Sequence, residues 1–305
     1  MSLILDMVPI RKEINNMVSK MLSVVVGTTE CIASCPFCVS CTPMQAKRDN
    51  RSVNTRNFGI ALKYADKCGV DTIVFTSRGE PLLYPEQITE YMKYISHSNA
   101  NIPFIELQTN GLLIQKNKNL LSYLEQWYHL GMTHIALSVI SEKDEINYLN
   151  YNIKSNLSET VEILHNIGFS VRLVSIMCKG DFYMDTIEKV RSFINYAKEH
   201  NVEQVTLRPV NEEFRRQSTH DWVEAHKFTD EDKRQFMDYL EKEGAVLMQL
   251  PRIGKIYDIN GQNVMFSYPL NLNTRNADGE TARQLIYFPD GHIRYEWEKE
   301  GGILL

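Results

Sequence analysis

The chain has 305 residues, 43% of them hydrophobic and 23% charged, and its 33 basic against 38 acidic side chains give a formal charge of −5. This is ordinary globular composition at a length that buries a core without staples, so wholesale disorder and fibrous architectures are excluded. The slightly acidic balance supplies no broad electrostatic grip on phosphate backbones and demotes nucleic acid as a partner.

Residues 1–21 start apolar, but Asp6, Arg11, Lys12 and Glu13 interrupt the run, and no cleavage site follows. They read as an amphipathic helical segment, not a signal peptide. No apolar stretch approaches the roughly 20 residues that span a bilayer. A cytoplasmic protein without membrane contact is expected.

From about residue 22 to 210, strand-like runs alternate with helical patterns. The strands are expected to begin near Leu22, Asp71, Phe104, His134, Ser170 and Val202. Between them, 3.6-residue stripes mark helices: Ile88, Tyr91, Met92 and Ile95; then Leu157, Val161, Leu164 and Ile167; then Ile187, Val190, Ile194 and Ala197. Gly69, Gly131 and Gly168 suit left-handed helix ends. Repeated strand–helix units imply parallel strands with right-handed crossovers. Six such units are two short of a closed eight-fold barrel, which leaves an open partial (β/α)6 barrel or a doubly wound sheet.

Composition shifts after Pro209, and residues 211–305 read as a small α+β extension packed on the barrel. A helix is expected over Thr229 to Glu243, capped by Thr229 with acidic residues in its first turn. Asn260-Gly261 and Asp290-Gly291, each between strand-like runs, predict two hairpins. Asn271 to Thr281 reads as a loop. The hairpins are expected to close the barrel at one side.

Six cysteines are too few for a disulfide scaffold at this length, yet Cys31, Cys35, Cys38 and Cys41 fall within eleven residues, leaving Cys68 and Cys178 elsewhere. The loop after the first strand reads C-x3-C-x2-C. Three thiolates so placed can ligate three corners of one [4Fe–4S] cube and leave one iron open for a substrate. A zinc site would ordinarily pair two cysteines with a second Cys/His pair some distance away, and the loop holds no histidine. Cys41 could be a fourth ligand, a reactive thiol or an inert residue.

This spacing, with Phe37 before the last cysteine, resembles the radical S-adenosylmethionine (radical SAM) superfamily. Further matches stand at later strand ends. Ser77-Arg78-Gly79-Glu80-Pro81 is similar to the family's Gly-Gly-Glu-Pro motif, with Arg78 replacing the first glycine; Gln108-Thr109-Asn110-Gly111 is similar to its Thr-Asn-Gly. The resemblance covers residues 22 to 210. It implies a partial TIM-like barrel, and an enzyme that reductively cleaves SAM to methionine and a 5′-deoxyadenosyl radical, which abstracts hydrogen from a substrate. It implies Cys31, Cys35 and Cys38 as cluster ligands. It also implies SAM contacts from Phe37, Gly79, Glu80, Asn110, Ser138, Arg172 and Leu207. Gly79 and Glu80 would take the ammonium, Ser138 the ribose hydroxyls, and Leu207 would flank the adenine. Arg172 would fix the carboxylate or stand as an outward-facing charge. Electrons would come from a flavodoxin- or ferredoxin-type donor. The substrate is expected to be a small molecule or nucleotide, with a peptide as the alternative. A non-catalytic iron–sulfur or zinc sensor is the competing class, and the Gly-Glu-Pro match argues against it, because a sensor needs no SAM site.

Overall fold

The computed structural model describes residues 18–38, 52–210, 217–250, 254–267, 282, 284–295, 297 and 302–304. Residues 1–17 of the expected N-terminal helical segment, Cys41 and the loop at Asn271 to Thr281 lie outside these residues, while Met21, at the end of that segment, already belongs to the first strand. Among the described residues, no helix is long and apolar enough to cross a membrane.

Six parallel strands form the centre: β1 (Met21–Val26), β2 (Thr72–Ser77), β3 (Phe104–Thr109), β4 (His134–Val139), β5 (Ser170–Met177) and β6 (Gln204–Pro209). Helices α1 (Thr55–Lys67), α2 (Pro85–Ser96), α3 (Lys118–His129), α4 (Asp144–Tyr151), α5 (Leu157–Ile167) and α6 (Ile187–Glu199) fill the crossovers. The expected stripes are the buried faces of α2, α5 and α6, with Ile167 and Ile187 only partly buried. Gly69, Gly131 and Gly168 all have positive φ, which ends the preceding helix without the penalty a side chain would incur there.

Alternation along each strand sorts two faces. Leu22, Val24 and Val26 of β1 and Ile73 and Phe75 of β2 join the helices in one large core, where Phe58 of α1 stands 4.6 Å from Tyr91 of α2. The opposite face carries Thr76, Gln108, Ser138, Arg172 and Arg208, all half-buried. A sheet apolar toward its helices and polar on the other side is built to surround something polar.

The C-terminal part departs from expectation. Helices α7 (Gln217–His226) and α8 (Asp230–Glu243) lead into β7 (Ala245–Leu250), β8 (Gly254–Ile259), β9 (Gln262–Ser267), β10 (Leu285–Tyr287) and β11 (Ile293–Arg294). Both predicted hairpins form, with Asn260 and Gly261 at φ of 52° and 86°. They do not close one side. The order is β11-β10-β1-β2-β3-β4-β5-β6-β9-β8-β7, so one hairpin extends each edge. Strand β9 lies parallel to β6, and β10 lies parallel to β1 with Leu22 opposite Leu285. The sheet stays open. Tyr287 explains the seat of β10: its ring sits 5.2 Å from Phe58, and its hydroxyl donates to the Asn54 carbonyl at 3.1 Å.

Candidate active site

The loops after β1, β2 and β3 meet beyond the carboxyl ends of those strands, where sites form in parallel α/β folds. The first carries Cys31, Cys35 and Cys38. A turn joins the last two, the Cys38 N–H donating to the Cys35 carbonyl at 3.2 Å. Cys31 Sγ accepts the Ala33 N–H at 3.4 Å and faces Asn110 Nδ2 at 4.0 Å. Burial pushes the Cys31 thiol up, the Ala33 amide opposes this, and the Glu80 charge adds to it.

The second loop is pressed against the first. A side chain at position 79 would collide with the Glu30 carbonyl, so glycine is required there by close approach. That carbonyl accepts the Glu80 N–H at 2.9 Å, and the Gly79 N–H donates to Ser77 Oγ at 3.0 Å. Glu80 is 2% exposed. Its Oε1 accepts the Leu82 N–H at 3.0 Å and the Thr109 hydroxyl at 2.5 Å, and its Oε2 accepts the Asn110 N–H at 3.1 Å. Burial raises its pKa, and these three bonds oppose the rise. The carboxylate thus ties the second loop to the third. Each carboxylate oxygen can accept two bonds, so Oε2 keeps acceptor capacity.

The remaining expected residues are more dispersed. Phe37 is buried, with its ring centroid 6.4 Å from that of Tyr183 and 5.9 Å from that of Trp222 on α7. Ser138 lies on the polar face, and its carbonyl accepts from the buried Tyr151 hydroxyl at 3.1 Å. Arg172 and Ser175 face opposite ways, as their odd spacing requires; Ser175 donates to the Ile140 carbonyl at 3.2 Å. Arg172 is not an outward-facing charge. It pairs with Glu106 at 2.5 Å, with the side chains 19% and 11% exposed, and crosses β4 over Ala136, its neighbour in register. Its Nη2 is therefore taken, while Nε is buried with no hydrogen bond. Leu207 is fully buried in the helix-side core, so its side chain does not face the polar side; its neighbours Thr206 and Arg208 do. Sequence reasoning missed Glu30, Tyr84, Tyr151 and Trp222. Tyr84 is 54 residues from Glu30, the carboxylate it bonds, and no local pattern announces such a pair.

These residues fit an iron–sulfur cluster with SAM. Cys31, Cys35 and Cys38 are in no disulfide, and Cys31 Sγ already faces N–H donors, as a ligating thiolate requires. Among the described residues, no three His, Cys, Asp or Glu side chains converge on a point suited to a single metal ion. A cube asks for something different, one thiolate on each of three separate irons.

Fold and loop together define an open, mainly parallel α/β barrel with a three-cysteine loop at its carboxyl end. The family model for the radical SAM superfamily matches residues 25–211, and the chain belongs to that superfamily of enzymes, whose members bind a [4Fe–4S] cluster and SAM. Among solved structures, it is similar to Streptococcus suis SuiB bound to S-adenosylmethionine, at 14% identity and a TM-score of 0.57, covering 92% of this chain and 59% of that one. It is similar also to native anSMEcpe with bound AdoMet, at 15% identity and a TM-score of 0.56, covering 90% of this chain and 73% of that one. At such identities the likeness is one of fold. No curated protein matches the sequence.

Proposed function

We propose that this enzyme cleaves SAM reductively and uses the resulting radical to abstract hydrogen from a polar small molecule or nucleotide. The observation that carries this reading is the juxtaposition of the cysteine loop and the Gly79–Glu80 turn, joined through the Glu30 carbonyl. When bound, cluster and SAM supply an electron and a 5′-deoxyadenosyl radical. Cys31, Cys35 and Cys38 would hold three of the cluster's irons. The Gly79 carbonyl and Glu80 Oε2 would accept the ammonium, since an ammonium needs acceptors and both groups are acceptors. Phe37, backed by Trp222 and Tyr183, anchors the loop to the apolar cluster beside it. Ser138 would bond the ribose hydroxyls and Asn110 orients Cys31, while Arg172, with Nη2 bonded to Glu106 and Nε buried, holds the polar face together. The half-buried polar face, with Thr76, Gln108 and Ser138, supports a polar substrate of modest size. A flavodoxin- or ferredoxin-type donor would deliver the electron.

Anaerobic reconstitution followed by reduction in the presence of SAM tests the reading. Four irons per chain, broad visible absorption, and methionine with 5′-deoxyadenosine are expected. A colourless, zinc-loaded protein that leaves SAM intact would overturn it. Untargeted metabolite profiling of a deletion strain would then test the substrate class.

A further inference from the structure

Gly27, where the chain leaves β1 for the cysteine loop, has φ of +67°, and the Tyr84 ring occupies the space a side chain there would need. The Gly27 N–H donates to Gln87 Oε1 at 2.7 Å. Tyr84 is 5% exposed. Its hydroxyl lies 2.5 Å from Thr28 Oγ1 and donates to Glu30 Oε2 at 3.0 Å. Glu30 precedes Cys31 directly, and its carbonyl is the one that receives the Glu80 N–H. Glu30 is therefore gripped twice by the segment Glu80–Tyr84, at its main chain and at its carboxylate. The two grips fix the peptide that leads into the first cysteine.

We propose that Tyr84 is a positioning residue, which sets the distance between the cysteine loop and the Gly79–Glu80 turn so that cluster and SAM ammonium are held in register. The proposal rests on the reading of the site given above. A hydrogen bond to a carboxylate is stronger than one between neutral groups, and here it adds a side-chain restraint to the main-chain bond between loop and turn. Thr28, Glu30 and Gln87 belong to the same latch. None of the three is required to touch SAM.

Tyr84→Phe keeps the ring over Gly27 and removes only the hydroxyl. The reconstituted variant should hold wild-type iron, while its SAM Kd rises about three- to ten-fold, the equivalent of one net hydrogen bond. The change that SAM induces in the electron paramagnetic resonance spectrum of the reduced cluster should shrink in parallel. Glu30→Gln keeps an acceptor for Tyr84 but not the charge and should fall between wild type and Tyr84→Phe, whereas Glu30→Ala should match Tyr84→Phe. Thr229→Ala, remote on α8, serves as a control for general destabilisation and should leave SAM binding unchanged. Wild-type affinity and spectrum in Tyr84→Phe would overturn the proposal, and so would an equal loss of affinity in Thr229→Ala. A wild-type protein that takes up no iron would instead defeat the reading of the site, and the latch with it.

Discussion

Three hydrogen bonds converge on the Glu80 carboxylate, two from the Thr109–Asn110 stretch and one from its own turn, so this residue carries stability apart from the SAM contact proposed for it. Glu80→Ala strands a buried N–H, a half-buried N–H and a buried hydroxyl, and should lower folding stability by about 1–3 kcal/mol in a denaturant titration. Glu80→Gln, which keeps acceptor oxygen but not charge, should lose less stability while still binding SAM more weakly. Equal stability of Glu80→Ala and wild type would show that the knot contributes nothing. Cys35→Ser is expected to lose most of its iron and all SAM cleavage; full iron content would remove Cys35 from the ligand set. The cysteine triplet was legible because its information is local, three thiols within eight residues. The Arg172–Glu106 pair was not. It depends on β3, β4 and β5 lying side by side in a register that puts the small Ala136 beneath the arginine, and on nothing near either residue in sequence.

Elements were read with more success than their partners. Each expected strand of the parallel centre exists, and Thr229 caps α8 in a reciprocal box, its Oγ1 accepting the Asp232 N–H at 3.2 Å while Asp232 Oδ2 accepts the Thr229 N–H at 2.7 Å. Thr229→Ala should cost about 1 kcal/mol, measurable as a shift in the urea midpoint at constant slope. No shift would mean that the Asp232–Lys179 ion pair, at 2.7 Å, holds the helix start unaided. Strand β7 and helix α7 escaped the sequence reading. Strand β7 alternates nothing: Val246, Leu247 and Met248 are consecutive, apolar and 51%, 56% and 54% exposed. Period-two patterning appears only where one face is buried, and here neither is. The opposite destinations of the two hairpins were equally silent, because Asn-Gly and Asp-Gly specify a turn and not the neighbour against which it packs.

At the scale of the whole molecule, the parallel centre has its β1 edge completed by a short hairpin that an ion pair secures. Burial pushes the Asp290 carboxyl up, but the Arg294 guanidinium, bonded to it at 3.1 and 2.7 Å, and the His292 N–H more than offset this and hold it below the usual aspartate value. A carboxyl depressed in the folded state stabilises fully above its unfolded pKa of about 3.9, and that contribution fades as pH falls through the lower folded value. Thermal melts from pH 6 to pH 3 should therefore show wild type losing more stability than Asp290→Asn, the gap narrowing at the acid end; a constant gap would refute the linkage. The same hairpin has a consequence for biogenesis. Strand β1, which leads into the cysteine loop, is flanked on one side by β10, whose residues emerge from the ribosome some 260 positions later. Among the described strands β1 has no other partner on that edge, and a pairing across some 260 residues is the slow kind of contact to form. Synthesis thus imposes an order of events. The strand that leads into the cysteine loop gains its neighbour on that edge only after β10 has been synthesised.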